Sequence, residues 1–254
     1  MNQFDWLAKW ANYTPNRLFL REHHTQMEWS YSEFDLRANS LANFFIDELK
    51  LSKGDRVAVY SKNRAEYVLL LFACIKSGAI LVPLNFRLTP RELDVLIYDA
   101  EPKLFIYEKE YKVEVEKLEI LSGIPLKKTI EEITPFLLQA ATNNFQLSTL
   151  HDQEDPVMIL YTAGTTGLSK GAIINHRMLQ WNSINTALSL DLTSQDHTKS
   201  FAPFFHTGGW NVLFTPFVHH GASHTLLQKF DPELILDLME KEKTDNYDFV
   251  YHQL

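Results

Sequence analysis

Tyr161-Thr162-Ala163-Gly164-Thr165-Thr166-Gly167-Leu168-Ser169-Lys170-Gly171 decides how this chain is read. Glycine accepts positive φ without a Cβ clash, so Gly164 and Gly167 can turn successive backbone N–H groups inward as an anion-binding nest. Thr162, Thr165, Thr166 and Ser169 add hydroxyl donors, and Lys170 adds a compact positive charge. A polyphosphate is the natural ligand of such a loop. Val157-Met158-Ile159-Leu160-Tyr161 precedes it and Ala172-Ile173-Ile174 follows it, so the loop is expected to join two strands. That excludes a Walker A sequence, which carries G-x-x-x-x-G-K-[ST] into a helix. A Gly/Thr-rich decamer also fits an ordinary surface turn, and only the full string is specific enough to set that reading aside.

Upstream, strands and helices alternate. Phe4, Leu7, Ala8 and Ala11 keep helical spacing, and Phe19-Leu20-Arg21-Glu22 reads as a strand. Ser30 and Glu33 form a capping box, which opens a helix striped by Phe34, Ala38, Leu41, Phe45 and Leu49. Arg56–Tyr60 is a short apolar strand. Asn63 with Glu66 is expected to cap the next helix, which Gly78 ends. Ile80–Pro83 is a further strand, Thr89-Pro90-Arg91-Glu92 a second capping box with proline at the first helical position, and Lys103–Tyr107 another strand. This order implies a parallel sheet with right-handed crossovers. A dinucleotide fold needs G-x-G-x-x-G after the first strand; Ser61-Lys62-Asn63-Arg64 stands there instead. The stretch 129–156 reads as polar and irregular surface.

Downstream, Asn175 is expected to cap a helix in which His176 is a surface or packing residue. Phe201-Ala202-Pro203-Phe204-Phe205-His206-Thr207-Gly208-Gly209-Trp210 sets a histidine between aromatics and glycines. Such a histidine can donate to a carboxylate while the glycines let a ligand approach the backbone. Val212 to Val218 reads as a buried helix and Ala222 to Leu227 as a strand. Asp231 then caps a helix with Pro232 in its first turn.

Three stretches carry a family resemblance. The string from Thr162 to Gly171 closely resembles the [ST]-[SA]-G-[ST]-T-G-x-P-K-G signature of the AMP-forming acyl-CoA synthetase, luciferase and peptide-synthetase adenylation superfamily. Ser169 stands where that family usually has proline, which loosens the loop without removing a phosphate contact. Lys76-Ser77-Gly78-Ala79-Ile80-Leu81-Val82-Pro83-Leu84-Asn85 and Phe204–Gly209 resemble two further family segments, "K-x-G-A-x-x-V-P-L-N" and "P-L-F-H-x-x-G".

The resemblance implies an α/β fold of stacked, largely parallel sheets flanked by helices, the incomplete large N-terminal domain of an adenylate-forming enzyme. Its first α/β part would cover about 1–150. The phosphate loop and the start of a second α/β part would cover 151–254, with the C-terminal lid domain absent. It implies nucleotide binding by Thr162, Ala163, Gly164, Thr165, Thr166, Gly167 and Lys170, and acyl-substrate binding by His206, Gly208 and Gly209. Thr162, Lys170 and His206 would serve the chemical step. The cofactors implied are ATP, Mg²⁺ and CoA, the partner a small carboxylic acid, fatty or aryl, and the full-length form a homodimer. An amino-acid adenylation domain is the enzymatic alternative, and a non-catalytic phosphate-binding remnant the other. The family's later magnesium-linked glutamate, ribose aspartate, hinge and lid lysine have no counterpart in the sequence, and 245–254 fits the family pattern poorly. The chain is therefore expected to be a fragment with little ligase activity alone.

Composition bounds the rest. A chain of 254 residues with a net charge of −8 lacks the basic footprint of a nucleic-acid binder. Cys74 is the only cysteine, which excludes a disulfide framework, and its apolar setting marks a buried thiol. His219 and His220 are adjacent without a spaced partner, so no metal site is expected. The start of the chain lacks signal-peptide character and the longest apolar run is too short to span a bilayer; a cytoplasmic location is the default.

Overall fold

A computed structural model describes residues 4–139, 152–162 and 169–242. The elements run α1 (Trp6–Tyr13), β1 (Leu18–Glu22), β2 (Met27–Ser30), α2 (Tyr31–Asn43), β3 (Arg56–Tyr60), α3 (Ala65–Ser77), β4 (Ile80–Leu84), α4 (Pro90–Ala100) and β5 (Leu104–Tyr107). They continue with α5 (Lys112–Val115), β6 (Leu126–Thr129), α6 (Thr134–Leu138), β7 (Pro156–Thr162), β8 (Lys170–Asn175), α7 (His176–Leu190) and β9 (His197–Ser200). The last are α8 (Thr207–Asn211), α9 (Thr215–His220), β10 (Ser223–Leu226) and α10 (Pro232–Glu242).

They build two sheets. One is six-stranded in the order β6-β5-β3-β4-β7-β8, and the other four-stranded in the order β2-β1-β10-β9. All neighbours in the larger sheet are parallel except β7 and β8. In the smaller sheet β1, β10 and β9 run parallel, and β2 returns antiparallel on β1. The α/β class of stacked, largely parallel sheets flanked by helices is what the structure shows. Strands late in the chain enter both sheets: β7 lies beside β4, and β10 lies beside β1.

α3 lies at the centre. All thirteen of its residues are buried, because it is packed from both sides. Phe72 meets Phe19 of β1 edge to face at 5.9 Å, while the Tyr67 hydroxyl donates to the Val59 carbonyl of β3 at 3.3 Å. Each fully buried Leu, Val or Phe there is worth about 1.5–3 kcal/mol of transfer free energy, so this helix is a principal glue between the sheets. Its last turn carries Lys76, 2% exposed, whose ammonium lies 2.6 Å from both Asp5 and Asp35. Asp5 also caps α1, so one buried ion triad ties α1, α2 and α3 together. Gly78 ends α3 in the left-handed region at φ 77°, as its sequence position predicts.

Both expected capping boxes form, Ser30 with Glu33 and Thr89 with Glu92. Asn175 caps α7, and Asp231 accepts from the Leu234 amide at 3.2 Å. His176 is buried and stacks on Phe4 at 4.6 Å, a packing role. Cys74 is buried, and burial pushes its thiol pKa up.

Three local expectations are corrected. The helix striped by Phe34 to Leu49 widens into a π-helical turn over Phe44–Glu48. The expected helix over Val212 to Val218 is instead a turn over 212–214 that leads from α8 into the short helix α9, Thr215–His220. The stretch after Thr129 is not all irregular: Thr129 and Glu132 form a capping box and α6 follows, while 140–151 lies outside the described residues.

Candidate functional site

β7 and β8 form the expected antiparallel pair, with Thr162 opposite Lys170 as the last registered residues before the loop. Both are exposed. The intervening Ala163, Gly164, Thr165, Thr166 and Gly167 lie outside the described residues. The base of the loop is fastened by Tyr161, whose hydroxyl donates to Asp99 of α4 at 2.6 Å. Burial and that carboxylate push the Tyr161 pKa up, so the phenol keeps its proton. Opposite Tyr161 stands Gly171; a Cβ there would lie 2.8 Å from Ile159 Cγ2 and 3.4 Å from the Tyr161 ring. The ring lies across the space that glycine leaves, covering an edge strand that has no side chain at this point.

β4 and β7 are parallel with Leu81 opposite Met158, so the turn after Leu84 and the loop after Thr162 emerge at the same edge. The turns after β3 and β5 share it. This is the carboxyl end of a parallel sheet, where open α/β folds place their ligands. The Phe201–Trp210 segment leaves the carboxyl end of β9 and reaches this edge. Phe205 meets Phe86 of the turn after β4 edge to face at 5.3 Å, and the Arg87 guanidinium lies over both rings at 5.5 and 5.9 Å.

His206 is exposed and is the N-cap of α8, its Nδ1 accepting from the Gly208 amide at 3.2 Å. With Nδ1 an acceptor, the neutral imidazole carries its proton on Nε2. Nε2 is thereby left as the ring's donor. Gly209 has a different task. A Cβ there would stand 2.4 Å from the Pro203 carbonyl oxygen and 2.8 Å from that of Ala202, so its hydrogen allows α8 to close onto its own entering strand. At Gly208 the nearest atom to such a Cβ is His206 Nδ1 at 3.5 Å, an ordinary contact. Beneath the segment, Phe204 stacks on Trp210 at 3.9 Å, and Tyr67 of α3 stands edge-on to both.

Asn63 corrects the sequence reading. It does not cap α3, whose Ala65 amide is taken by Glu22 of β1 at 2.9 Å. Instead its side chain accepts from the Phe204 amide at 2.9 Å and donates to the Ala202 carbonyl at 2.8 Å. Its turn is held in place by Glu108, which accepts from the Ser61 hydroxyl at 2.5 Å and the Lys62 amide at 2.6 Å. Burial raises the Glu108 pKa, with those hydrogen bonds and Arg64 acting the other way. Glu66 pairs with Arg64 and accepts from Thr134 at 2.6 Å. Asn63, Phe86 and Arg87 are the site-edge residues that sequence spacing does not single out; the signal for each is its place just beyond the end of a parallel strand.

Among the described residues, no group of three or more His, Cys, Asp or Glu side chains could hold a metal ion, and no helix is long and apolar enough to cross a membrane.

The β7–β8 pair that carries the Gly/Thr-rich segment and a histidine-bearing segment from a second sheet thus stand at one sheet edge. The pattern of the AMP-binding enzyme family matches residues 7–250, and the chain belongs to that family. Feruloyl-CoA synthase of an Amycolatopsis species is 31% identical over 238 residues, 94% of this chain and 46% of its own. Indoleacetate–CoA ligase of Aromatoleum aromaticum is 27% identical over 251 residues, 96% of this chain and 48% of its own. ATP-bound MatB from Rhodopseudomonas palustris superposes with a TM-score of 0.82 at 29% identity, over 95% of this chain and 48% of that one. The N-terminal domain of FACL13 from Mycobacterium tuberculosis shares the fold, with a TM-score of 0.84 at 24% identity over 96% of this chain and 61% of that one. The chain spans about half the length of the curated relatives it matches.

Proposed function

We propose that this chain supplies the phosphate-loop and carboxylate-binding share of an AMP-forming acid–CoA ligase acting on a fatty or aryl acid. In that reaction a carboxylate oxygen attacks the α-phosphorus of ATP, pyrophosphate leaves, and an acyl-adenylate remains. The sulfur of CoA then attacks the acyl carbon, and AMP departs. The site's own share is binding and charge compensation. Lys170, Thr162 and the residues 163–167 take the β- and γ-phosphates, where Lys170 acts as a point charge on the departing pyrophosphate. His206 donates from Nε2 to the acid's carboxylate and holds it for attack. Mg²⁺, carried by the nucleotide, would add to the charge compensation at the phosphates. The reading includes a cytoplasmic location, a homodimeric full-length form and little turnover by the 254 residues alone.

The observation that carries the proposal is the exposed His206 ring, held through Nδ1 so that Nε2 is its donor, on a segment docked at the edge from which the β7–β8 loop emerges. An acid is favoured over an amino acid because Asp231, the carboxylate nearest in sequence to that segment's downstream strand, is spent capping α10. The test is calorimetric titration of the chain with octanoate, phenylacetate and phenylalanine. The reading predicts that one of the two simple acids binds more tightly than phenylalanine, and that His206→Ala weakens it by about tenfold or more, as for loss of a hydrogen bond to a charged group. Preference for phenylalanine, or equal binding by His206→Ala, contradicts it.

A further inference from the structure

Asn63 is 2% exposed and lies in the turn after β3, on the larger sheet. Its two hydrogen bonds reach a segment 139 and 141 residues further along the chain. The side-chain orientation follows from the partners alone. The Phe204 N–H can only donate and the Ala202 carbonyl can only accept, so the amide oxygen must face the first and the amide nitrogen the second. The isosteric side chains do not satisfy both: aspartate lacks the donor, and leucine lacks both groups. The bonded Ala202 carbonyl is one of the two oxygens that crowd the Gly209 backbone, and the Pro203 carbonyl beside it accepts from the His206 amide at 3.0 Å.

We infer that Asn63 is a positioning residue for the carboxylate-binding histidine. It registers the Ala202–Phe204 backbone against the larger sheet, and so sets where the His206 ring stands relative to the phosphate loop. The inference rests on the reading of His206 given above. The two sheets meet this edge from different parts of the chain, and packing of Phe204 and Trp210 onto Tyr67 sets their separation but not the sliding of one backbone past the other. Apolar contact is non-directional; a donor–acceptor pair of fixed spacing supplies a direction. The turn that carries Asn63 is itself fixed on both flanks, by Glu108 at Ser61 and Lys62 and by Glu22 at Ala65.

The experiment compares the full chain with Asn63→Ala and Asn63→Asp by amide hydrogen exchange and by titration with octanoate, phenylacetate and pyrophosphate. The inference predicts that Asn63→Ala speeds exchange over 201–209 by tenfold or more. The same variant should weaken carboxylate binding by a similar factor and leave pyrophosphate binding within twofold of the parent. Asn63→Asp keeps the acceptor for Phe204, so it should recover protection at that amide while carboxylate binding stays weak. Unchanged carboxylate affinity in Asn63→Ala overturns the inference while leaving the His206 reading intact. Equal loss of carboxylate and pyrophosphate binding also overturns it, showing a residue that only stabilises the fold. A parent chain that binds pyrophosphate but neither acid refutes the His206 reading itself, and the positioning role with it.

Discussion

Thr162 and Lys170 face each other across the last rung of the β7–β8 ladder, so the two ends of the intervening segment are held at the spacing of one strand pair. The pair lies at an exposed sheet edge, because β8 is the outermost strand. One rung below, the Tyr161–Gly171 pair fastens that edge to α4 through Asp99.

Gly171→Val should therefore disturb the loop through its base. The added Cβ falls 2.8 Å from Ile159 Cγ2, and overpacking of this kind costs about 1–3 kcal/mol. Pyrophosphate titration and thermal melting should both show a loss. Unchanged pyrophosphate affinity in a variant that melts lower would mean that the strand pair does not set the loop.

The two glycines after His206 should respond differently to alanine. Gly209→Ala must push against two backbone carbonyls that cannot rotate away, so urea unfolding should show a loss of about 1–3 kcal/mol. Gly208→Ala meets only ordinary contact and gains helix propensity, so its change should stay within about 1 kcal/mol. Similar losses at both positions would contradict the close approach drawn for Gly209.

How much of this was legible in the sequence follows from how local each signal is. The strand–loop–strand hairpin, the capping boxes and the Gly78 stop are readable because each depends on residues within a few positions of one another. Asn63 reads as a cap for the same reason: an Asn three residues before a Glu is the local signature. The structure gives that duty to Glu22, from another sheet, and turns Asn63 toward Phe204. Neither partner is near in sequence. The helix over 212–218 fails because Phe214 packs into the core from the turn between α8 and α9, so an apolar run spans a turn and a helix alike. Strand β6, Leu126–Thr129, carries two lysines and is recognisable only by its pairing with β5.

Lys76 tests the cost of a buried charge. With Asp5 and Asp35 both at 2.6 Å, Lys76→Met removes the cation and leaves two carboxylates facing each other away from water. Breaking such a group costs about 3–5 kcal/mol. The triple variant with Asp5→Asn and Asp35→Asn should recover much of that loss in urea unfolding. No recovery would mean that the methionine packs badly and that charge is not the cause.

Acid should weaken the fold through its buried histidines. Burial, with His220 and Lys9 nearby, lowers the His219 pKa from 6.5 to about 4, and burial also holds that of His224 well below the usual value. Between those values the unfolded chain binds protons that the folded chain refuses, so stability falls as pH drops from about 6.5 towards 4. His219→Gln, which removes one of these groups, should show a smaller drop in melting temperature between pH 7 and 4.5 than the parent. An equal drop would assign the acid sensitivity elsewhere.

Calorimetric titration with pyrophosphate and with ATP–Mg²⁺, beside a Lys170→Ala control of unchanged melting temperature, tests the central claim most directly. A phosphate site built on the β7–β8 hairpin predicts saturable binding that Lys170→Ala weakens by about tenfold, the scale of one charge-assisted contact. A folded chain that binds neither ligand, or binds both equally well without the lysine, would contradict the assignment.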